Sequence, residues 1–165
     1  MIVVSDTTPL ITLMKARKLQ LLHLLFGEVL VPDAVYQELT SNQAYQNESE
    51  LIRSSAFIRV VSVRDRQAVT LIRRATGLDK GESEAIVYAD EQNADILLMD
   101  EAAGRKVAMN MGLTITGSIG ILIKGYRQKL LTRDELETAI NDIRLSNRHI
   151  SENLLNMALN MADTF

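Results

Sequence analysis

The sequence predicts an α/β protein with a central parallel sheet of four or five strands that is covered by helices on both faces. Short apolar or β-branched runs alternate along the chain with longer segments of helical spacing. Parallel strands need a crossover connection, usually a helix, so this alternation favours a three-layer α/β/α arrangement. The 165 residues contain no internal repeat and no glycine-rich linker. We therefore expect one domain, residues 1–165, in which segment 130–165 adds extra C-terminal helices.

The strands are predicted from their short length, their β-branched content and the turn residues beside them. Continuous apolar runs are expected where a parallel strand is buried on both faces. The predicted strands are residues 2–4, 28–31, 58–63, 94–99 and 113–116.

The helices are predicted from apolar spacing and from start signals. Pro9 and Pro32 each stand at a first helical position, where proline is favoured. Asp79 and Glu82 form the Asp-x-x-Glu pattern of a capping box before an apolar run. The polar stretch 40–49 is predicted to be a loop or a frayed helix end. The predicted helices are residues 10–14, 19–26, 33–39, 66–75, 82–91, 101–111, 118 onward, 132–145 and 151–162.

Composition excludes several classes of function. The chain has no cysteine, so a disulfide framework, a thiolate zinc site and a cysteine nucleophile are all excluded. The amino terminus shows no signal-peptide pattern, and no apolar run approaches the ~20 residues of a membrane span, so we expect a cytoplasmic protein. The net charge is -3, from 18 basic and 21 acidic residues. Nucleic-acid binding would therefore need a local basic patch.

Acidic residues follow two of the predicted strands. Asp6 comes directly after strand 2–4, and Asp100 directly after strand 94–99. Ligands of open parallel sheets bind beyond the carboxyl ends of the strands, so the two carboxylates would meet if these strands are neighbours. Each acid alone is also explained as a helix cap.

Two further acids could reach the same edge from helices. Glu38 lies two helical turns past strand 28–31, and Glu84 lies one turn into the helix that begins near residue 80. At about 100° per residue, Glu82 points nearly opposite to Glu84, so only one of that pair can easily face the sheet edge. The spacing leaves open whether it is Glu82 or Glu84, and Glu84 is taken here as the candidate.

The set of Asp6, Glu38, Glu84 and Asp100 predicts a cation. Four clustered carboxylates would repel one another at neutral pH unless a positive charge neutralised them. Ligands that are all oxygen favour Mg²⁺ or Mn²⁺ over zinc. Such ions commonly serve phosphate chemistry by activating water and neutralising charge on the phosphoryl oxygens.

Four ordered segments resemble the motifs of PIN-domain proteins: VVSDTTPLI at 3–11, VPDAVYQEL at 31–39, GESEAI at 81–86 and LLMDE at 97–101. The resemblance covers about residues 1–125. It implies a metal-dependent ribonuclease, often the toxin of a VapC-type toxin–antitoxin pair. It also implies an RNA substrate, one or two Mg²⁺ or Mn²⁺ ions, an antitoxin protein as a possible partner, and a homodimer.

Carried over by motif, Asp6, Glu38, Glu84 and Asp100 would be the four catalytic and metal-binding acids, and Thr7 would orient Asp6 or a bound water. The glutamate at position 84, where aspartate is usual, and the segment TGSIGIL at 116–122 resemble a poorly characterised branch of the family.

Basic and apolar surfaces leave alternatives open. Arg105 and Lys106 could contact RNA, or they could belong to a solvated helix face on which Glu101 pairs with Arg105. Leu154, Met157 and Met161 share a helical stripe, which we expect to be core. A dimer face and an antitoxin groove are the alternatives.

Three other functions remain possible from sequence. The main alternative is a catalytically inactive PIN-like fold that binds nucleic acid or protein. A phosphoryl-accepting receiver normally has adjacent acids after its first strand, and a haloacid-dehalogenase-type phosphatase has Asp-x-Asp, whereas Asp6 is followed by Thr7 and Thr8.

Overall fold

The computed structural model describes residues 1–146 and 150–164. Within these ranges, five strands form one parallel sheet in the order β3-β2-β1-β4-β5. The predicted parallel sheet and the three-layer α/β/α fold are confirmed. The strands are β1 (Val3–Ser5), β2 (Val29–Pro32), β3 (Ile58–Val61), β4 (Ile96–Leu98) and β5 (Ile115–Thr116).

Helices connect the strands and continue past the last one. They are α1 (Thr7–Lys15), α2 (Gln20–Phe26), α3 (Asp33–Ser41), α4 (Gln46–Ser54), α5 (Arg66–Thr76), α6 (Lys80–Glu91), α7 (Ala102–Asn110), α8 (Ser118–Arg127), α9 (Arg133–Leu145) and α10 (Glu152–Ala162). Across the described ranges, none of these helices has the length and apolar content needed to cross a membrane.

The pairing of β1 with β4 brings their carboxyl ends together. Val3 is opposite Ile96 and Ser5 is opposite Leu98. The backbone N–H of Asp6 continues the ladder by donating to the carbonyl of Leu98 at 3.0 Å. Residues that follow either strand therefore emerge at one edge, as the sequence predicted for neighbouring strands.

Alternate residues of the strands enter two apolar layers, one on each face of the sheet. Val3 and Leu98 belong to the layer that contains α1, α2, α8 and α9. Val4 and Leu97 belong to the layer built on α5 and α6. This period of two is the geometry of a strand buried on both faces, and it explains why the strands are apolar throughout.

The loop or frayed helix end predicted for residues 40–49 is wrong for most of the segment, and only the end of α3 at Ser41 agrees with it. A short 3₁₀ helix, Gln43–Tyr45, separates α3 from α4, and α4 begins at Gln46. Tertiary contacts stabilise this polar segment: Lys15 Nζ lies 2.5 Å from Glu48 Oε1, and Ile52 is buried. A propensity argument from composition could not include these contacts.

The core position predicted for the Leu154 stripe is also wrong. Leu154, Met157 and Met161 are 44%, 55% and 46% exposed. The buried face of α10 instead contains Leu155, Ala158 and Ala162. The small residues of α10 pack against the neighbouring helices. The sequence does not reveal this orientation, because apolar residues occur on both faces of α10.

Candidate active site

Asp6 lies at the base of an acidic cluster. It directly follows β1, stands at the N-cap position of α1, and is 3% exposed. Burial raises the pKa of the Asp6 carboxyl well above its usual range, and the backbone N–H of Thr7 partly opposes this. The negative charges of Glu82, Asp79 and Glu38 raise it further. These four acidic side chains therefore act on one another.

Glu38 approaches the cluster from α3. The Thr7 hydroxyl donates to Glu38 Oε2 at 3.0 Å. Burial raises the pKa of Glu38, the bond from Thr7 lowers it, and Asp79 and Glu101 raise it further. A Cβ at Gly81 would lie 3.3 Å from Glu38 Oε2. The small residue thus allows α6 to approach this carboxylate closely.

Glu82 enters the cluster from the first turn of α6. The capping box is confirmed: Glu82 N–H donates to Asp79 Oδ1 at 2.8 Å, and Asp79 N–H donates to Glu82 Oε2 at 3.0 Å. Burial, with the charges of Asp79 and Glu101, raises the pKa of Glu82 to about 7. Glu82 is therefore a cap and a perturbed acid beside Asp6 at once.

Glu84 lies elsewhere. Its Oε1 atom accepts from the backbone N–H of Ala34 at 3.4 Å and lies 3.3 Å from Arg66 Nη1. The residue is 1% exposed, and its buried Oε2 atom has no hydrogen-bond partner among residues 1–146 and 150–164. The structure therefore places Glu84 between α6, α3 and α5, whereas Glu82 is the acid whose charge acts on Asp6.

Asp100 is held at the amino terminus of α8. Ser118 N–H donates to Asp100 Oδ1 at 2.7 Å, and the Ser118 hydroxyl donates to Oδ2 at 2.9 Å. A Cβ at Gly117 would lie only 2.8 Å from Asp100 Oδ1. Glycine at this position is what allows the loop to approach the carboxylate.

Residues near Asp100 connect it to the cluster. Glu101 accepts from the Thr8 hydroxyl at 3.2 Å, and its hydrogen bond and charge raise the pKa of Glu82. The Arg105 guanidinium donates to the carbonyl of Met99 at 2.8 Å, directly before Asp100. Lys106 is exposed.

Sequence reasoning missed four contributors to this site, and the chain carried a signal for two of them. The capping-box pattern marked Asp79 and Glu82 but was explained by helix capping alone. Ser118 and Glu101 carried no such signal. Ser118 binds Asp100, which is remote in sequence, and Glu101 is an exposed residue at the start of α7.

A cleft of about 1190 Å³ opens beside the acids. Its lining contains both polar and apolar side chains, so the cleft offers contacts to a charged and to a flat part of a ligand. The polar lining residues include Thr8, Glu38, Asp100 and Glu101, and the apolar ones include Ile119, Ile123 and Leu154.

The donor chemistry of the cluster fits Mg²⁺ or Mn²⁺. Every side-chain donor is a carboxylate or hydroxyl oxygen. The raised pKa values of Asp6, Glu38 and Glu82 reflect burial first and neighbouring negative charge second, and a bound cation would offset both. Among residues 1–146 and 150–164, no three Asp, Glu, His or Cys side chains are close enough to share one ion. Mg²⁺ commonly binds through one or two carboxylates and keeps several waters, so this spacing is compatible with it.

Comparison with known proteins agrees with the fold. A family model described as a PIN domain, DUF3368, matches residues 2–164. No curated protein gives a significant match. The parallel sheet, the acids at the ends of β1 and β4 and a match over nearly the whole chain lead to one conclusion: the chain belongs to the PIN-domain family, whose members are generally nucleases.

Proposed function

We propose that the protein is a Mg²⁺- or Mn²⁺-dependent endoribonuclease that hydrolyses RNA phosphodiester bonds. One observation carries the proposal: Asp6 and Asp100 follow the paired strands β1 and β4 at one edge of the sheet. Burial, together with the charges of Glu82, Asp79 and Glu38, raises the pKa of Asp6 at this edge. Perturbed acids beside a cleft are typical of a catalytic site.

One or two of the carboxylates of Asp6, Glu38, Glu82 and Asp100 would bind the ion directly and the others would contact its waters, with Glu82 in the position that we expected for Glu84. When bound, the ion would activate water and neutralise charge on the phosphate. Ser118 fixes both oxygens of Asp100, and Thr7 fixes one oxygen of Glu38. The second oxygen of Glu38 would accept the proton of the attacking water, because its raised pKa brings it nearer to neutral pH.

RNA would lie in the cleft. The apolar residues that line the cleft offer contact area for a base, and the hydroxyl of Thr8 offers a hydrogen bond. Lys106 is the exposed cation of the predicted RNA-binding pair and would contact a phosphate. Arg105 already donates to Met99, so its first role would be to support the loop before Asp100.

We further propose a biological setting for this activity: the toxin component of a toxin–antitoxin pair, acting in the cytoplasm as a homodimer that an antitoxin protein inhibits. The resemblance of the four motifs to VapC-type proteins supports this setting. Co-expression with the product of an adjacent small gene would test it. Relief of growth arrest is the expected result.

Purified protein, RNA and Mn²⁺ provide the direct test of cleavage. We expect the wild-type protein to cleave RNA, EDTA to stop it, and Asp6→Asn and Asp100→Asn to lower the rate at least about a hundredfold. Glu50→Gln changes an exposed carboxylate on α4 and is the matched control. Equal activity in all four proteins would contradict the assignment of the acids.

A second function is a PIN fold that binds without cleaving. The observation that favours it is the spacing of the acids, of which no three in the described ranges share one ion site. Calorimetric titration with Mn²⁺ separates the two functions. A saturable site that Asp6→Asn removes supports the nuclease, whereas its absence from the wild-type protein supports the binding module.

A further inference from the structure

We propose that Glu84 is a positioning residue that fixes α3 against α6 and so sets the separation of Glu38 and Glu82. Its effect on catalysis rests on the proposed function. Its effect on the two helices can be measured without metal or RNA.

The contacts of Glu84 join three helices. Glu84 is on α6, Ala34 is the second residue of α3, and Arg66 is the first residue of α5. The first four N–H groups of a helix have no partner within it, and Glu84 Oε1 accepts one of them. The negative charge of Glu84 is favourable beside the amino termini of α3 and α5.

The same two helices meet again one turn away, at the acidic cluster. Ala34 and Glu38 are four residues apart on α3 and share a face. Gly81 lies three residues before Glu84 on α6, and a Cβ there would be 3.3 Å from Glu38 Oε2 and 3.5 Å from Val35 Cγ2. Glu84 thus holds one end of the contact between α3 and α6. The other end of this contact contains Glu38 and Glu82, which is next to Gly81 in sequence.

The chemistry of Glu84 is not explained by stability alone. A buried carboxylate carries a large desolvation cost, and an apolar side chain of similar volume often stabilises a protein more. Here the cost is increased because Oε2 has no hydrogen-bond partner, while Arg66, the opposite charge, is half exposed. A directional contact to Ala34 is what an apolar residue could not supply.

The experiment compares Glu84→Gln, Glu84→Leu and Arg66→Ala with the wild-type protein. Arg73→Ala removes an exposed arginine from α5, the helix that also carries Arg66, and is the control. The first readout uses metal-free protein: amide hydrogen exchange at Ala34 and the NMR contact between the Val35 methyl and Gly81. The second readout is the Mn²⁺ dissociation constant by calorimetry, together with kcat and KM for RNA cleavage.

We expect Glu84→Leu to speed exchange at Ala34 about tenfold, weaken the Val35–Gly81 contact, and raise the Mn²⁺ dissociation constant about tenfold. Glu84→Gln keeps an acceptor of the same shape and should remain close to the wild-type protein in all three properties. Arg66→Ala should act in the same direction as Glu84→Leu but less strongly. If Glu84→Leu does not fold, the glutamine and Arg66 variants still decide the question.

Three outcomes would overturn the inference. The first is an unchanged Val35–Gly81 contact and Ala34 exchange in all variants. The second is altered exchange with unchanged Mn²⁺ affinity and kcat, which would make Glu84 merely structural. The third is loss of Mn²⁺ binding in Glu84→Gln as complete as in Asp6→Asn with no change at Ala34, which would make Glu84 a ligand. A wild-type protein that neither binds Mn²⁺ nor cleaves RNA would refute the proposed function, and the metal-free readout would still test the positioning of α3.

Discussion

The hydroxyl of Thr7 donates to Glu38 Oε2 at 3.0 Å and so connects the residue after Asp6 to helix α3. This bond lowers the pKa of Glu38, in opposition to the effect of burial. We expect Thr7→Val to raise that pKa further and to lower kcat/KM severalfold at pH 7, with recovery at higher pH. Thr7→Ser retains the hydroxyl and should behave as the wild-type protein does. Superimposable pH–rate profiles for the valine and serine variants would contradict this role.

Asp6→Asn is expected to separate stability from activity. The variant removes a buried charge that lies among Glu38, Asp79 and Glu82, so repulsion in the metal-free protein falls. We expect the free energy of unfolding in EDTA at pH 8 to rise by about 1–2 kcal/mol, which is a few degrees in Tm. Thermal scans should also show that added Mn²⁺ no longer stabilises the variant. A lower Tm in EDTA would mean that the carboxylate makes stabilising contacts instead.

Glu82 is expected to make the metal-free protein less stable as the pH rises. Its pKa is about 7 in the folded protein, above its ordinary value of 4.5. The contribution to stability is therefore fully present below about pH 4.5 and is lost as the pH rises through 7. After a discount for solvent screening, the loss is on the order of 1–2 kcal/mol.

Glu82→Gln provides the measurement for this effect. Urea unfolding of both proteins between pH 5 and 8 should show a decline in stability that is smaller in the variant than in the wild-type protein, because the raised pKa values of Asp6 and Glu38 still contribute to it. Comparison with Glu84→Gln tests whether the effect belongs to Glu82. A parallel pH dependence in wild type and Glu82→Gln would refute the assignment.

Gly117→Ala is expected to disturb Asp100. The added Cβ would lie 2.8 Å from Asp100 Oδ1, so either the carboxylate or the loop must move. We expect about a tenfold loss of Mn²⁺-dependent cleavage, with kcat affected more than KM. Ser118→Ala removes the hydroxyl that donates to Asp100 Oδ2 and should cost about 1 kcal/mol of stability. Gly112→Ala, at a left-handed turn in open space, distinguishes backbone strain from an effect on Asp100.

The strand and helix order could be predicted from sequence because each segment carries a local signal. The capping box at Asp79 and the apolar runs of β1 and β4 agree with the final fold. The predicted proline positions were wrong, because Pro32 ends β2 at the N-cap of α3 and Pro9 is the third residue of α1. Helix α4 could not be predicted, because its polar residues become helical through contacts such as Lys15–Glu48 that are remote in sequence.

Only part of the candidate site could be predicted from the sequence. Asp6 and Asp100 follow strands that pair directly, so the edge at which they lie could be inferred from the α/β pattern. The choice between Glu82 and Glu84 could not, since both are buried and differ only in which side of α6 they occupy. That choice depends on how α6 is rotated against α3, which Gly81 and Ala34 determine together.

Lys106 and Arg105 are expected to differ in their effects on RNA. Lys106→Ala should raise KM at unchanged kcat and reduce the dependence of binding on salt by about one ion. Arg105→Ala removes the bond to the Met99 carbonyl and should lower kcat. Cleavage measured at several salt concentrations would check both. Identical kinetic effects of the two variants would indicate a shared, nonspecific electrostatic role.

The order of the strands in the sheet has a consequence for synthesis of the protein. β1, which precedes Asp6, pairs with β4, and Asp100 is fixed by Ser118. The acidic cluster therefore cannot assemble until more than two-thirds of the polypeptide has left the ribosome exit tunnel. The proposed ribonuclease activity would therefore be absent from a nascent chain until that stage of its synthesis.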